Sequence, residues 1–131
     1  MQPIRDDEAG NRIPRIAKYL HYVFTAAPLA AVAAVNLLSW RAAVKIGHWP
    51  VPWQDDPKCI VPNDVLLQVL YPSIWLLLLG AVASLVFFPA LLVALGYAYS
   101  VLSRWMLVLI FAGGWVLLTL DPGARFTWFL D

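Results

Sequence analysis

Charged residues are almost missing from the second half of this chain of 131 residues, where Arg104 is the only one between Tyr71 and Leu120. Water cannot solvate an apolar stretch of that length, whereas lipid or other membrane helices can. Charged residues make up 13% of the chain and hydrophobic residues 62%, against roughly 25% and roughly 45–50% in soluble domains. The sequence therefore predicts an integral membrane protein.

Cysteine, clustered basic residues and acids within the apolar runs are scarce as well. Cys59 is the one cysteine, so no disulfide forms within a single chain. The net charge is +1, and a chain without a concentrated basic face is not expected to bind nucleic acid. No carboxylate, lysine or histidine falls in the middle of an apolar run, which removes the usual acids and bases of catalysis and of coupled transport. We therefore predict that the protein is not an enzyme.

Three apolar runs cover about residues 20–40, 72–95 and 105–120. The first is about 31 Å long at 1.5 Å per residue, which matches the hydrocarbon core of a bilayer. They predict an all-α polytopic membrane protein with three transmembrane helices, at about residues 19–45, 64–95 and 105–120. Residues 1–18 are then a polar N-terminal tail, 19–131 a single membrane domain, 46–63 a loop rich in proline and tryptophan, and 121–131 an interfacial tail.

A chain with four spans is the alternative. It would break the second run at Phe87, Phe88 and Pro89, because proline often begins a helix. The first run also contains small residues at Ala31 and Ala33 that resemble a signal-peptide cleavage site, but its length favours a retained span.

Aromatic residues mark the two membrane boundaries, where tryptophan and tyrosine concentrate. The predicted interfacial anchors are Trp40, Trp49, Trp53, Trp75, Trp105 and Trp128. Lysine and arginine are slightly more numerous on the side of the N-terminus, which predicts a cytoplasmic N-terminus. The expected location is a bacterial inner membrane, with lipid and other membrane subunits as partners.

The loop carries chemistry-bearing residues without a recognisable site. Its four prolines disfavour helix, and Asn63 is the predicted N-cap of the helix that follows. The spacing of its possible ligands fits neither a zinc nor a calcium pattern, so no metal is expected at His48, Asp55, Asp56, Cys59 and Asp64. These acids are expected to pair with Arg41, Lys45 or Lys58, and the C-terminal tail is expected to pack on residues 49–53.

Small residues recur at helical spacing in all three runs, which predicts close helix packing within the chain or against a partner. The predicted packing residues are Ala26, Ala30, Ala33, Ala34, Gly80, Ser84, Gly113 and Gly114. Pro28 and Pro89 are expected to kink their helices, and Pro72 is tolerated if it falls in the first turn of its helix.

His21 is the one candidate cofactor ligand, because histidine ligates haem and related pigments and Ala17, one turn earlier, leaves room for a macrocycle. A histidine that hydrogen-bonds water or headgroups explains the residue equally simply, so no cofactor is expected. Three functions stay open at this stage. The preferred one is a small non-catalytic membrane subunit, or assembly factor, of a larger complex. The others are an oligomeric channel or small transporter lined by Asn36, Ser84 and Thr119, and a haem- or pigment-binding subunit that uses His21.

Overall fold

The computed structural model describes residues 7–60, 64–96 and 99–130, with side chains from Arg15 onward except that of Lys58. Within these ranges every regular element is a helix: α1 (Asp7–Ile46), α2 (Pro57–Ile60), α3 (Val65–Ala94), α4 (Val101–Leu120) and α5 (Arg125–Leu130). Three helical segments are long and apolar enough to cross a membrane: Arg15–Ile46, Val65–Ala94 and Val101–Leu120. The predicted class, an all-α membrane protein with three spans, is confirmed.

The alternative with four spans is wrong, because α3 continues through Phe87, Phe88 and Pro89 without a break. Its 30 residues correspond to about 45 Å, which exceeds a hydrocarbon core of about 30 Å. The helix must therefore tilt or project from the bilayer. Pro72 lies inside the helix rather than in its first turn, because α3 already begins at Val65.

Helix ends differ from expectation in three places. Helix α1 begins at Asp7, so much of the predicted polar tail is helical, while residues 1–6 lie outside the described part. Asn63, the predicted N-cap of α3, also lies outside it. The cap that the structure shows is Asp64, whose carboxylate accepts hydrogen bonds from the N–H groups of Leu66 and Leu67 at 2.9 and 3.4 Å. Ser100 caps α4 by accepting from the N–H of Ser103.

Helix α1 is the centre of the molecule, because it packs along both α3 and α4 and also against α5. Of the most apolar 18 residues of each spanning helix, 39% are buried in α1, against 17% in α3 and 17% in α4. Its apolar buried face repeats every three or four residues, as one side of a helix requires: Ala27, Ala31, Val35, Leu38 and Ala42. Helices α3 and α4 contact each other through side chains near one end, where the ring centroids of Phe88 and Phe111 lie 4.1 Å apart.

Two clusters of buried side chains fix the helices at opposite ends of the bundle. The cluster at the loop end joins α1, α3 and α5 through Val35, Leu38, Ala42, Leu67, Ile74, Trp128 and Phe129. The cluster at the other end joins α3 and α4 through Phe88, Leu95, Tyr99 and Leu107, with Ala17 of α1 packed against it.

Candidate functional site

The predicted alanine stripe of α1 lies at the edge of the packed face rather than at its centre. Ala26 and Ala33 are exposed, and Ala30 and Ala34 are half-buried. Their neighbours Ala27 and Ala31 are buried instead. Alanine occupies both sets of positions, so the spacing is evident from the sequence but the rotation of the helix is not.

The two predicted glycines of α4 have different surroundings, because Gly114 packs against another helix and Gly113 does not. A Cβ atom on Gly114 would lie 2.8 Å from the backbone nitrogen of Leu29 and 2.9 Å from the Cβ of Pro28, whereas a Cβ on Gly113 would meet nothing within 4 Å. Gly114 is therefore the point where α4 approaches the backbone of α1. A Cβ on Gly80 would make ordinary contact with Ala27, at 3.9 Å.

The three polar residues that would line a channel do not meet in one cavity. Ser84 is fully buried and donates to the carbonyl of Ala81. Asn36 donates to the carbonyl of Val32, and Thr119 donates to the carbonyls of Trp115 and Val116. Asn36 borders a small pocket between α1 and α4, whereas Thr119 borders a different cavity between α3 and α4.

His21 is fully buried where α1 meets the end of α3. Its ring centroid lies 5.2 Å from that of Phe88 and 5.4 Å from that of Tyr99, and its Nδ1 lies 3.1 Å from the Tyr99 hydroxyl. Burial raises the pKa of Tyr99, so its phenol stays protonated at neutral pH. The Nε2 atom of His21 is buried and has no hydrogen-bond partner among the described residues.

This surrounding differs from the open site expected of a macrocycle ligand. Both ring nitrogens of His21 are enclosed by packed side chains, and Ala17 packs against the same cluster instead of bordering a void. The expected interfacial histidine, bonded to water or headgroups, is also not what the structure shows.

An apolar cavity with a volume of about 380 Å³ lies between α3 and α4. We call it the α3/α4 cleft. Its walls carry aromatic and aliphatic side chains of both helices, and α5 closes one end: Trp75, Leu78, Ala81, Val82, Trp115, Leu118, Thr119, Phe126 and Leu130. The Nε1 atom of Trp115 is buried and has no hydrogen-bond partner among the described residues. Sequence reasoning missed this site, since Trp115 only stood out as a tryptophan away from the two boundary belts.

Five of the six predicted tryptophan anchors are exposed, with exposed fractions from 44% to 81%: Trp40, Trp49, Trp53, Trp75 and Trp105. Trp53 lies at a turn of the loop with left-handed backbone, at φ 68°. Trp128 differs, because it is 1% exposed and its Nε1 donates to the carbonyl of Asp55 at 2.5 Å. It is a core residue that joins α5 to the loop.

The C-terminal tail contacts residues 49–53 as expected at Trp49, whereas the Trp128 bond reaches Asp55 beyond that range. The guanidinium carbon of Arg125 lies 4.5 Å from the centroid of the Trp49 ring, and Arg125 also donates to the side-chain carbonyl of Asn36. Asp121 fixes the turn before α5, since its carboxylate accepts from the N–H groups of Phe126 and Thr127 and from the Thr127 hydroxyl.

The loop is closed at its other end by the predicted pairing of Asp64 with basic residues of α1. A carboxylate oxygen of Asp64 lies 2.8 Å from the Nη2 atom of Arg41 and 3.8 Å from the Nζ atom of Lys45. Burial alone would raise the pKa of Asp64, but the N–H groups of Leu67 and Leu66 and the Arg41 guanidinium together hold it below the ordinary value. In the part of the chain that the structure describes, no three His, Cys, Asp or Glu side chains converge as metal ligands.

The chain matches no protein-family model, no curated protein and no solved structure. The class of protein that the fold defines is an integral membrane protein with three helices held by a central α1.

Proposed function

We propose that this protein is a small non-catalytic membrane subunit, or an assembly factor, that docks onto a larger membrane protein through its α3/α4 cleft. We also propose that it resides in a bacterial inner membrane with its N-terminus in the cytoplasm. The observation that carries the docking proposal is the concave apolar surface that stays open between the two spanning helices α3 and α4.

The packing of the bundle supports a missing neighbour at this place. Helices α3 and α4 both pack on α1, and a cleft stays open between them on the side of α5. A cavity at this depth is filled either by acyl chains or by another helix. A partner helix can match the fixed shape of this cleft with its own side chains, and such close packing is a main source of helix association in a bilayer. We therefore take a protein neighbour as the occupant.

The cofactor-binding alternative has one observation in its favour, namely the buried Nε2 of His21 without a partner in the described ranges. An absorption spectrum of the protein purified from its native membrane tests it. A Soret or near-infrared band that His21→Ala removes would support this alternative, and a spectrum of aromatic absorption only would end it.

Two valines of α3 allow a matched test of docking. Val82 lines the cleft, whereas Val86 lies one turn further along α3 and is not part of the cleft lining. Both side chains are largely exposed, at 60% and 69%, so tryptophan at either position leaves the packing on α1 intact. We expect Val82→Trp to fill the cleft and to lower the recovery of the partner, and Val86→Trp to leave it unchanged.

The measurement is stoichiometric co-purification from native membranes in mild detergent, with sizing of the isolated particle and identification of its chains. A defined particle that contains this chain alone in several copies would favour the oligomeric channel. Equal partner recovery with both tryptophan variants would show that the cleft is not the docking surface.

A further inference from the structure

Arg125 stands out among the basic residues at the loop end of the bundle because no carboxylate of the described residues forms an ion pair with it. Arg41 and Lys45 both form ion pairs with Asp64, and the Nδ1 atom of His48 lies 3.7 Å from a carboxylate oxygen of Asp55. Asp121, the acid nearest to Arg125 in the turn, instead directs its carboxylate to Phe126 and Thr127. The positive charge of Arg125 is therefore not compensated within the part of the chain that is described.

Two contacts hold the guanidinium in place while leaving most of its donors unused. One N–H group donates to the side chain of Asn36, and the planar group lies over the Trp49 ring at 4.5 Å. A guanidinium has five N–H donors in a planar fork that matches the oxygens of a phosphate. Stacking on an aromatic ring fixes this fork at little cost in side-chain entropy.

A pocket of about 260 Å³ opens beside this fork and is lined by Trp49, Pro50, Gly123 and Arg125. A Cβ at Gly123 would lie 3.4 Å from the Nε atom of Arg125, so the glycine borders the guanidinium side of the pocket. The backbone of Gly123 has φ 86°, which favours glycine over other residues. The Arg125 side chain, the Trp49 ring and the backbone of Gly123 therefore surround one space.

The position of Arg125 along the membrane normal indicates that the phospholipid headgroups supply the anion. Helix α4 ends at Leu120, so Arg125 follows within a few residues of the end of a span of about 30 Å. Phospholipid headgroups lie at this depth, as do tryptophan side chains such as Trp49. Basic residues near the membrane surface attract anionic lipids.

We propose that the pocket formed by Arg125, Trp49, Pro50 and Gly123 binds the phosphate group of an anionic membrane phospholipid. The guanidinium donates to the phosphate oxygens, and the Trp49 ring holds it in the required plane. This proposal is independent of docking at the α3/α4 cleft, which lies between two other helical faces.

The full-length protein in a neutral maltoside detergent provides the test. Phosphatidylglycerol is titrated in, and the retained lipid is counted by native mass spectrometry. Diacylglycerol, which lacks the phosphate, is the matched lipid probe. We expect retention of phosphatidylglycerol but not of diacylglycerol, and about tenfold weaker retention in Arg125→Gln, as expected for the loss of a charge-assisted hydrogen bond.

Arg104→Gln is the control variant. Arg104 lies in the first turn of α4, at the opposite end of the bundle, where it donates to the carbonyl of Tyr99, and its loss should leave retention unchanged. Equal losses in both variants, or no loss in Arg125→Gln, would overturn the proposal. Should Arg125→Gln fail to fold, Trp49→Leu decides, because it removes the ring and keeps the charge. Several-fold weaker retention in Trp49→Leu supports the site, and wild-type retention contradicts it.

Glycerol phosphate separates the two sources of the anion. Displacement of the lipid by millimolar glycerol phosphate supports a site that accepts soluble phosphate compounds as well. Lipid that stays bound under the same conditions supports a site for which the membrane supplies the ligand.

Discussion

The absence of a side chain at Gly114 sets the distance between α1 and α4. A methyl group there would overlap the backbone nitrogen of Leu29 and the ring of Pro28, and backbone atoms cannot rotate away as a flexible side chain can. Close approach at small residues is a main source of helix association in a bilayer, since apolar burial provides no preference for protein over lipid. The missing Cβ atom of Gly114 therefore allows α4 to pack against the backbone of α1.

Replacing Gly114 with alanine tests this contact. We expect Gly114→Ala to destabilise the bundle by about 1–3 kcal/mol, because the new methyl group overpacks a rigid interface. The measurement is unfolding of the purified protein in detergent, followed by tryptophan fluorescence.

Gly113→Ala is the control, since a Cβ at Gly113 meets nothing within 4 Å. It should be neutral or slightly stabilising, because alanine favours helix over glycine. Equal destabilisation by the two substitutions would show that the contact with α1 is not what makes position 114 sensitive to a methyl group.

At the scale of elements, α5 depends on the turn that precedes it. Asp121 has left-handed backbone at φ 41°, Gly123 follows at φ 86° and Ala124 at φ 51°. These angles reverse the chain after α4 and direct Trp128 and Phe129 into the core. Burial alone would raise the pKa of Asp121, but the hydroxyl of Thr127 and the N–H groups of α5 lower it below the ordinary value of 3.8.

The lowered pKa of Asp121 predicts how the stability of the packed α5 depends on pH. The unfolded chain binds a proton at Asp121 more readily than the folded one, so this contribution is fully present above pH 3.8 and is lost as pH falls through the lower pKa of the folded state. We expect Asp121→Asn to cost about 1–2 kcal/mol at neutral pH, and the difference from wild type to shrink below about pH 4.

Thermal unfolding in detergent across this pH range measures the difference. Asp64 also has a lowered pKa, so the comparison is repeated in an Asp64→Asn background, where the contribution of Asp121 should persist. A gap between the variants that stays constant down to pH 2 would contradict the role given to its carboxylate.

At the scale of the whole molecule, three spans place the loop and the turn between α3 and α4 on opposite membrane surfaces. Cys59 lies in the loop and is exposed, and Ser103 lies at the other end and is exposed. Because Cys59 is the one cysteine of the chain, each surface can be labelled separately.

Labelling of intact bacterial cells with a membrane-impermeant maleimide tests the proposed orientation. With the N-terminus in the cytoplasm, wild-type Cys59 should react without permeabilisation, whereas the variant Cys59→Ser with Ser103→Cys should react only after it. The reverse pattern would contradict the orientation, and equal reactivity of the two positions would contradict the odd number of spans.

The sequence predicted the parts of this protein that depend on chemistry along the chain. The number of spans follows from the length of the uncharged runs, the Asp64 pairing from opposite charges near α1, and the contact between tail and loop from two aromatic segments that reach the same boundary. It did not predict the burial of Trp128, because a tryptophan at a membrane boundary has the same local sequence whether it faces headgroups or a loop carbonyl.

The medium was therefore determined by the sequence alone, since the transfer of each residue into hydrocarbon depends on its own side chain. Tertiary structure decided which face of α1 packs, which of two adjacent glycines meets it and where the α3/α4 cleft opens. The reason is physical: lipid is as apolar as a helix interface, so α3 is hydrophobic on every side and its sequence has no periodicity that separates protein contact from lipid contact.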